Sequence, residues 1–227
     1  MTILGLIPAR AGSKRLPGKN LLALSGKPLL AHTCEAALAS GVLTEIYVNT
    51  DSADIAAVPE QHGVACPVLR PRQLAADDTP TRASNLFVLE FLAARGESYD
   101  AVMVLQPTSP LRSADDIRRA WALFEEHAPC AAVSVSPIAP ESWTGRIAAG
   151  NRFEREVGDE LLYRLNGAIY IYAWRDYLEN LAPRKTVAYV MPPMRSVDVD
   201  THEDLEYAEY LLSLARRNPP IQARYCA

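Results

Sequence analysis

Residues 100–110 read Asp100-Ala101-Val102-Met103-Val104-Leu105-Gln106-Pro107-Thr108-Ser109-Pro110, and this stretch decides the fold class. An unbroken apolar run of strand length suits a parallel strand covered on both faces. Two prolines then stop it, since proline has no N–H to give to a sheet. Ser113 follows as an N-cap for a helix predicted through Glu126, with Asp115 and Asp116 at its positively polarised start.

The same rhythm runs outward from this strand. Upstream, Thr2 to Pro8 is a short apolar strand, and Lys27 to Ser40 carries Leu29, Leu30, Thr33, Ala36 and Ala37 at helical spacing before Gly41. Glu45 to Thr50 reads as a strand, Ser52 to Gln61 as a helix, Val64 to Leu69 as a strand and Thr81 to Ala94 as a helix. Downstream, Cys130 to Ser136 is a strand, Tyr163 to Ala173 is β-rich and Thr186 to Met191 is a strand. Thr201 to Arg217 is a helix, with Thr201 as cap and Asp204 as its capping-box partner. The alternation predicts an α/β fold, an open and mostly parallel sheet with helices on both faces. Ligands of such sheets bind beyond the carboxyl ends of the strands, where Pro8-Ala9-Arg10, Asn49-Thr50-Asp51 and Gln106-Pro107-Thr108 fall. Residues 1–227 are read as a single domain; about 137–160 form an irregular excursion of loops and short strands.

Bulk properties narrow the function. The formal net charge is −4, which argues against a nucleic-acid partner, since such proteins usually carry a basic excess. No run approaches the ~18 apolar residues of a membrane span, and the first apolar segment lacks the flanks of a signal peptide, so a cytoplasmic protein is expected. Cys34, Cys66, Cys130 and Cys226 are scattered and read as small apolar residues. His32, His62, His127 and His202 show no metal-ligand spacing among themselves. A Gly-x-Ser-x-Gly nucleophile elbow is absent, which favours direct displacement over a covalent intermediate.

Chemistry concentrates in the loop after the first strand, Ile7-Pro8-Ala9-Arg10-Ala11-Gly12-Ser13-Lys14-Arg15-Leu16-Pro17-Gly18-Lys19-Asn20. Glycines let backbone N–H groups approach an anion, and lysine or arginine neutralises its charge, so this composition points to phosphate. The spacing is not that of a Walker A loop, nor of Gly-x-Gly-x-x-Gly. Near the other end, Asp198 and Asp200 flank Val199; residues i and i+2 of an extended chain share a side. Alone, the pair fits either a hard-cation site or two turn acids before a helix. Asp51 is a second candidate for a metal or ribose contact, and Asp77-Asp78 read as acids at a helix start.

The loop resembles the signature of the cytidylyltransferases that activate sialic acid and its legionaminic and pseudaminic relatives. The resemblance continues in order through Ser52, Leu69-Arg70-Pro71, the 105–112 segment, Asn166-Gly167-Ala168-Ile169-Tyr170 and Asp198-Val199-Asp200-Thr201, covering about residues 3–215. It implies a Rossmann-like nucleotidyltransferase with a small β-rich dimerisation excursion, taking CTP and an acidic nine-carbon sugar, and forming a homodimer. It assigns Ala9, Arg10, Gly12, Ser13, Lys19, Asn20 and Arg70 to the nucleotide, Gln106 and Arg164 to the sugar, and Asp198 and Asp200 to Mg²⁺. Arg10, Lys19 and Asp200 are its catalytic residues. The eight-carbon sugar Kdo is the alternative acceptor, and a non-catalytic nucleotide-binding module is the alternative class.

Overall fold

The computed structural model describes residues 1–138, 145–148, 152–155 and 162–217. Its centre is a six-stranded sheet in the order β10-β6-β9-β5-β1-β4. These strands are β1 (Ile3–Pro8), β4 (Glu45–Asn49), β5 (Ala101–Leu105), β6 (Ala131–Pro137), β9 (Tyr163–Ala173) and β10 (Thr186–Val190). β1 pairs in parallel with both β4 and β5, and β10 with β6. β9 enters antiparallel between β5 and β6. The sheet is therefore mostly parallel, as the unbroken apolar runs required.

Helices cover both faces, and the alternation of side chains along each strand divides the core. Ile3, Ile7, Ala101, Met103 and Leu105 point toward α1 (Leu29–Ser40), α2 (Ala53–Glu60) and α4 (Ala114–His127), meeting Leu30, Ile55, Ile117 and Phe124. Leu4, Leu6, Val102 and Val104 point the other way, onto α3 (Thr81–Ala94) and the short α5 (Trp174–Leu178), through Val88, Leu89, Leu92 and Trp174. β5 is fully buried along its length. α4 opens with a reciprocal capping box: Asp116 N–H donates to Ser113 Oγ, and Ser113 N–H donates to Asp116 Oδ2. Thr201 and Asp204 do the same for α6 (His202–Arg217).

Two local expectations change. The 64–69 strand reduces to one bridge, Ala65 to Tyr47, because Pro67 lacks the N–H a ladder needs. α1 starts at Leu29 rather than Lys27, since Lys27–Pro28 (β3) pairs antiparallel with Ala23–Leu24 (β2) around Ser25 and Gly26. Both turn residues have positive φ, 53° and 84°, the geometry of a tight hairpin turn. Within the excursion, Gly145–Ala148 (β7) and Arg152–Arg155 (β8) pair antiparallel. The rest of 139–161 lies outside the described residues, as does Cys226.

Candidate active site

The loop after β1 is tied down at several points. Ala9 N–H donates to Asn49 O at 2.9 Å, and Ala11 N–H donates to Asp51 Oδ1 at 2.9 Å. The buried Asn20 side chain returns to the loop start, donating from Nδ2 to Arg10 O at 2.9 Å. Between them Leu16 is fully buried, packed with Leu24, Leu29 and Val199. Gly18 has φ 67°, a left-handed turn that glycine adopts without strain, and it feeds the single 3₁₀ turn Lys19–Leu21.

The Leu16–Val199 contact organises the site. Burying Val199 against the loop leaves the carboxylates on either side of it to face a cleft. The backbone is fixed there by Val199 N–H donating to Thr108 O at 2.7 Å. The cleft, about 320 Å³, is lined by Pro8, Arg10, Arg15, Lys19, Asn20, Arg70, Asp77, Gln106, Thr108, Asp198 and Asp200 among others. It opens at the carboxyl ends of β1 and β5.

Most charges in the cleft are paired. Lys19 Nζ lies 2.8 Å from Asp200 Oδ1, and Arg15 Nη2 lies 2.5 Å from Asp200 Oδ2. Arg10 Nη1 lies 2.8 Å from Asp77 Oδ1. Burial pushes the Asp198 carboxyl above the usual carboxylate range; the charge of Asp200 adds to this and that of Lys19 opposes it. Arg70 is 5% exposed, and burial lowers its pKa despite the opposing pull of Asp51, whose Oδ1 is 3.8 Å away. Its Nε is buried with no hydrogen-bond partner.

Gln106 is positioned from two sides. Arg112, 2% exposed, donates from Nη1 to Gln106 O at 3.1 Å and to Ala168 O at 2.8 Å. Gly167 has φ 77°, and a Cβ there would lie 3.1 Å from Gln106 Oε1, so a side chain at 167 would crowd the amide. Thr81 and Gln106 also line a second lobe of about 520 Å³, walled by Tyr170, Tyr172, Tyr177, Leu181 and Pro183.

Of the residues singled out in the sequence, Arg10, Lys19, Asn20, Arg70, Gln106, Asp198 and Asp200 line one cleft. Ala9 is buried behind it, while Gly12 and Ser13 belong to the loop but do not line the cleft. A Cβ at Gly12 would meet nothing within 4 Å, so the fold itself does not demand glycine there. Arg164 stands elsewhere, on β9 in register with Ser136. Asp51 is a brace rather than a cleft residue, since its carboxylate is used by Ala11 N–H. Asp77 and Arg15 also line the cleft, and no local pattern in the sequence sets them apart. Asp77 has the neutral signature of an acid near a helix start, and only the chain fold carries it to Arg10.

Known proteins share this sequence pattern and fold. A profile of the family described as Cytidylyltransferase matches residues 4–220. The chain is 40% identical over 228 residues to a CMP-N,N'-diacetyllegionaminic acid synthase of Legionella pneumophila, covering 94% of this chain and 97% of that one. It is 30% identical to a pseudaminic acid cytidylyltransferase of Campylobacter jejuni, covering 93% and 96%. The solved structure of a CMP:2-keto-3-deoxy-manno-octonic acid synthetase complexed with CTP superposes with a TM-score of 0.67 at 20% identity, covering 94% of this chain and 99% of that one; this likeness concerns the fold alone. Matched in this way along nearly its whole length, the chain that carries this cleft belongs to the cytidylyltransferase family.

Proposed function

We propose that this enzyme transfers CMP from CTP to a sialic-acid-like nonulosonic acid, releasing pyrophosphate. The observation that carries the reading is the convergence of Arg10, Arg15, Lys19 and Arg70 with Asp198 and Asp200 in one cleft. In this reading Arg10 and Lys19 hold the triphosphate, with Asn20 fixing the loop beneath it and buried Arg70 near the base. The anomeric hydroxyl of the sugar attacks the α-phosphorus in line. A new P–O bond forms, the bond to the β-phosphate oxygen breaks, pyrophosphate leaves with the electron pair, and the hydroxyl proton passes to water. Arg10 and Lys19 stabilise the charge that grows on the departing phosphates, and the rest is positioning.

Asp198 and Asp200 suit Mg²⁺. Among the described residues no group of three or more His, Cys, Asp or Glu is arranged to hold a metal, but Mg²⁺ is commonly held by one or two carboxylates, with waters and phosphates as its other ligands. A cation would also relieve the repulsion between the neighbouring Asp198 and Asp200 carboxylates. When bound, Mg²⁺ would neutralise phosphate oxygens and acidify the attacking hydroxyl.

The tyrosine-walled lobe reached through Gln106 is the acceptor side in this reading. Arg164 sits between exposed Tyr163 and Leu165, beside exposed Leu162, and is assigned to a homodimer contact rather than to the cleft of its own chain. No helix among the described residues is long and apolar enough to cross a membrane, which is compatible with the cytoplasm, where CTP is made. The test is pyrophosphate release from CTP with N-acetylneuraminic, legionaminic, pseudaminic and Kdo acids in turn, with and without EDTA. Metal-dependent release with one nine-carbon acid is expected. Release with Kdo alone would move the acceptor to eight carbons, and CTP binding without turnover on any acid would leave a nucleotide-binding module.

A further inference from the structure

Arg10 and Lys14, both loop cations, share one partner. Arg10 Nη1 lies 2.8 Å from Asp77 Oδ1, and Lys14 Nζ lies 2.7 Å from Asp77 Oδ2. Asp77 comes from outside the loop, after the 3₁₀ turn Arg72–Ala75, in a segment closed by Thr79 donating from Oγ1 to Gln73 O at 3.1 Å. It lines the same cleft as Arg10. One carboxylate thus offers two oxygens to two cations, the arrangement in which a phosphate would meet them. The Lys14 ammonium, with Arg10 behind it, holds the Asp77 carboxyl below its ordinary range.

The contact is built to be exchanged. The Arg10 and Asp77 side chains are each 38% exposed and that of Lys14 81%, so water screens both pairs. A triphosphate brings several charges to the same donors and outcompetes a single carboxylate. We propose that Asp77 is an internal stand-in for phosphate: it holds Arg10 and Lys14 between turnovers, cedes them to the triphosphate and reclaims them as pyrophosphate leaves. Asp77 is a positioning residue acting through Arg10, and it lowers nucleotide affinity to the benefit of product release. This rests on the assignment of Arg10 to the triphosphate.

The test compares wild type with Asp77→Asn, which keeps the shape and removes the charge, and with Asp77→Ala. Calorimetry with inorganic pyrophosphate and with CTP is expected to give binding about 2- to 5-fold tighter in both variants, the size of one surface ion pair. The gain should shrink in ~0.5 M salt, where surface charges are screened. In turnover, KM for CTP and the inhibition constant for pyrophosphate should fall, while kcat stays level or drops. Asp78→Asn removes a charge next door without removing the bridge, and should shift pyrophosphate affinity by less than about 2-fold. Unchanged or weaker binding in folded Asp77→Asn and Asp77→Ala, or an equal gain in Asp78→Asn, overturns the proposal. If wild type binds pyrophosphate but not CTP, the cytidylyl reading falls while the pyrophosphate comparison still decides the role of Asp77.

Discussion

At the scale of single residues, the site is a balance of charges. Lys19 is the most enclosed of the loop cations, its side chain 15% exposed and held between Asp200 and the carbonyl of Val199. Arg10 reaches the opposite wall. Stabilisation of a leaving phosphate by a fixed cation is typically worth about 100-fold or more in rate. Arg10→Ala and Lys19→Ala are therefore each expected to lower kcat/KM for CTP by about 100-fold, read by pyrophosphate release. The melting temperature of Arg10→Ala should stay near wild type, because that pair is partly solvated on both sides, whereas Lys19→Ala should lower it, because the pair with Asp200 is more enclosed. Near-normal turnover in both variants would remove the loop from the chemistry. The cation types and their clustering were legible in the sequence. Their partners were not, since Asp77 and Asp200 lie dozens to nearly two hundred residues away.

At the scale of elements, the site depends on docking a loop onto a distant extended segment. Leu16 is fully buried in a small cluster with Leu24, Leu29, Val199 and Ala208, separate from the two cores that flank the sheet. Leu16→Ala should destabilise the protein by about 2–5 kcal/mol, the range for emptying such a site. It should also raise KM for CTP, because the cations and carboxylates lose their common anchor. Denaturant unfolding gives the first quantity and initial rates the second. A drop in stability with unchanged KM would show that the loop keeps its geometry without Leu16. In the sequence Leu16 is one apolar residue in a polar loop, with no periodicity to mark it. The helices are different: α4 and α6 were readable because Ser113 with Asp116 and Thr201 with Asp204 are local signals, and their capping geometry is as expected.

At the scale of the whole molecule, the remaining feature is an apolar face. Leu162, just before β9, and Tyr163 and Leu165, at its start, are 58%, 45% and 60% exposed. Apolar residues clustered in this way favour a partner surface over water. Light scattering is expected to give about twice the 24.9 kDa chain mass, and Leu165→Asp to shift the protein toward monomer. A wild-type monomer at micromolar concentration would rule out the homodimer.

The sequence alone determined the layered α/β class, because a continuous apolar run such as Ala101–Leu105 can be covered only from both sides. It also determined the chemistry on offer, because a glycine- and cation-rich loop and an Asp-Val-Asp pair are local compositions. Tertiary structure decided what these meet. β9 enters the sheet antiparallel between β5 and β6, a choice that depends on long-range pairing and leaves no mark on its own apolar pattern. The register of that strand sets Gly167 beside Gln106 and carries Arg164 away from the cleft. Packing of Leu16 with Val199 brings two distant segments together and pairs Lys19 with Asp200, and the path of the chain after the 3₁₀ turn Arg72–Ala75 separately carries Asp77 to Arg10.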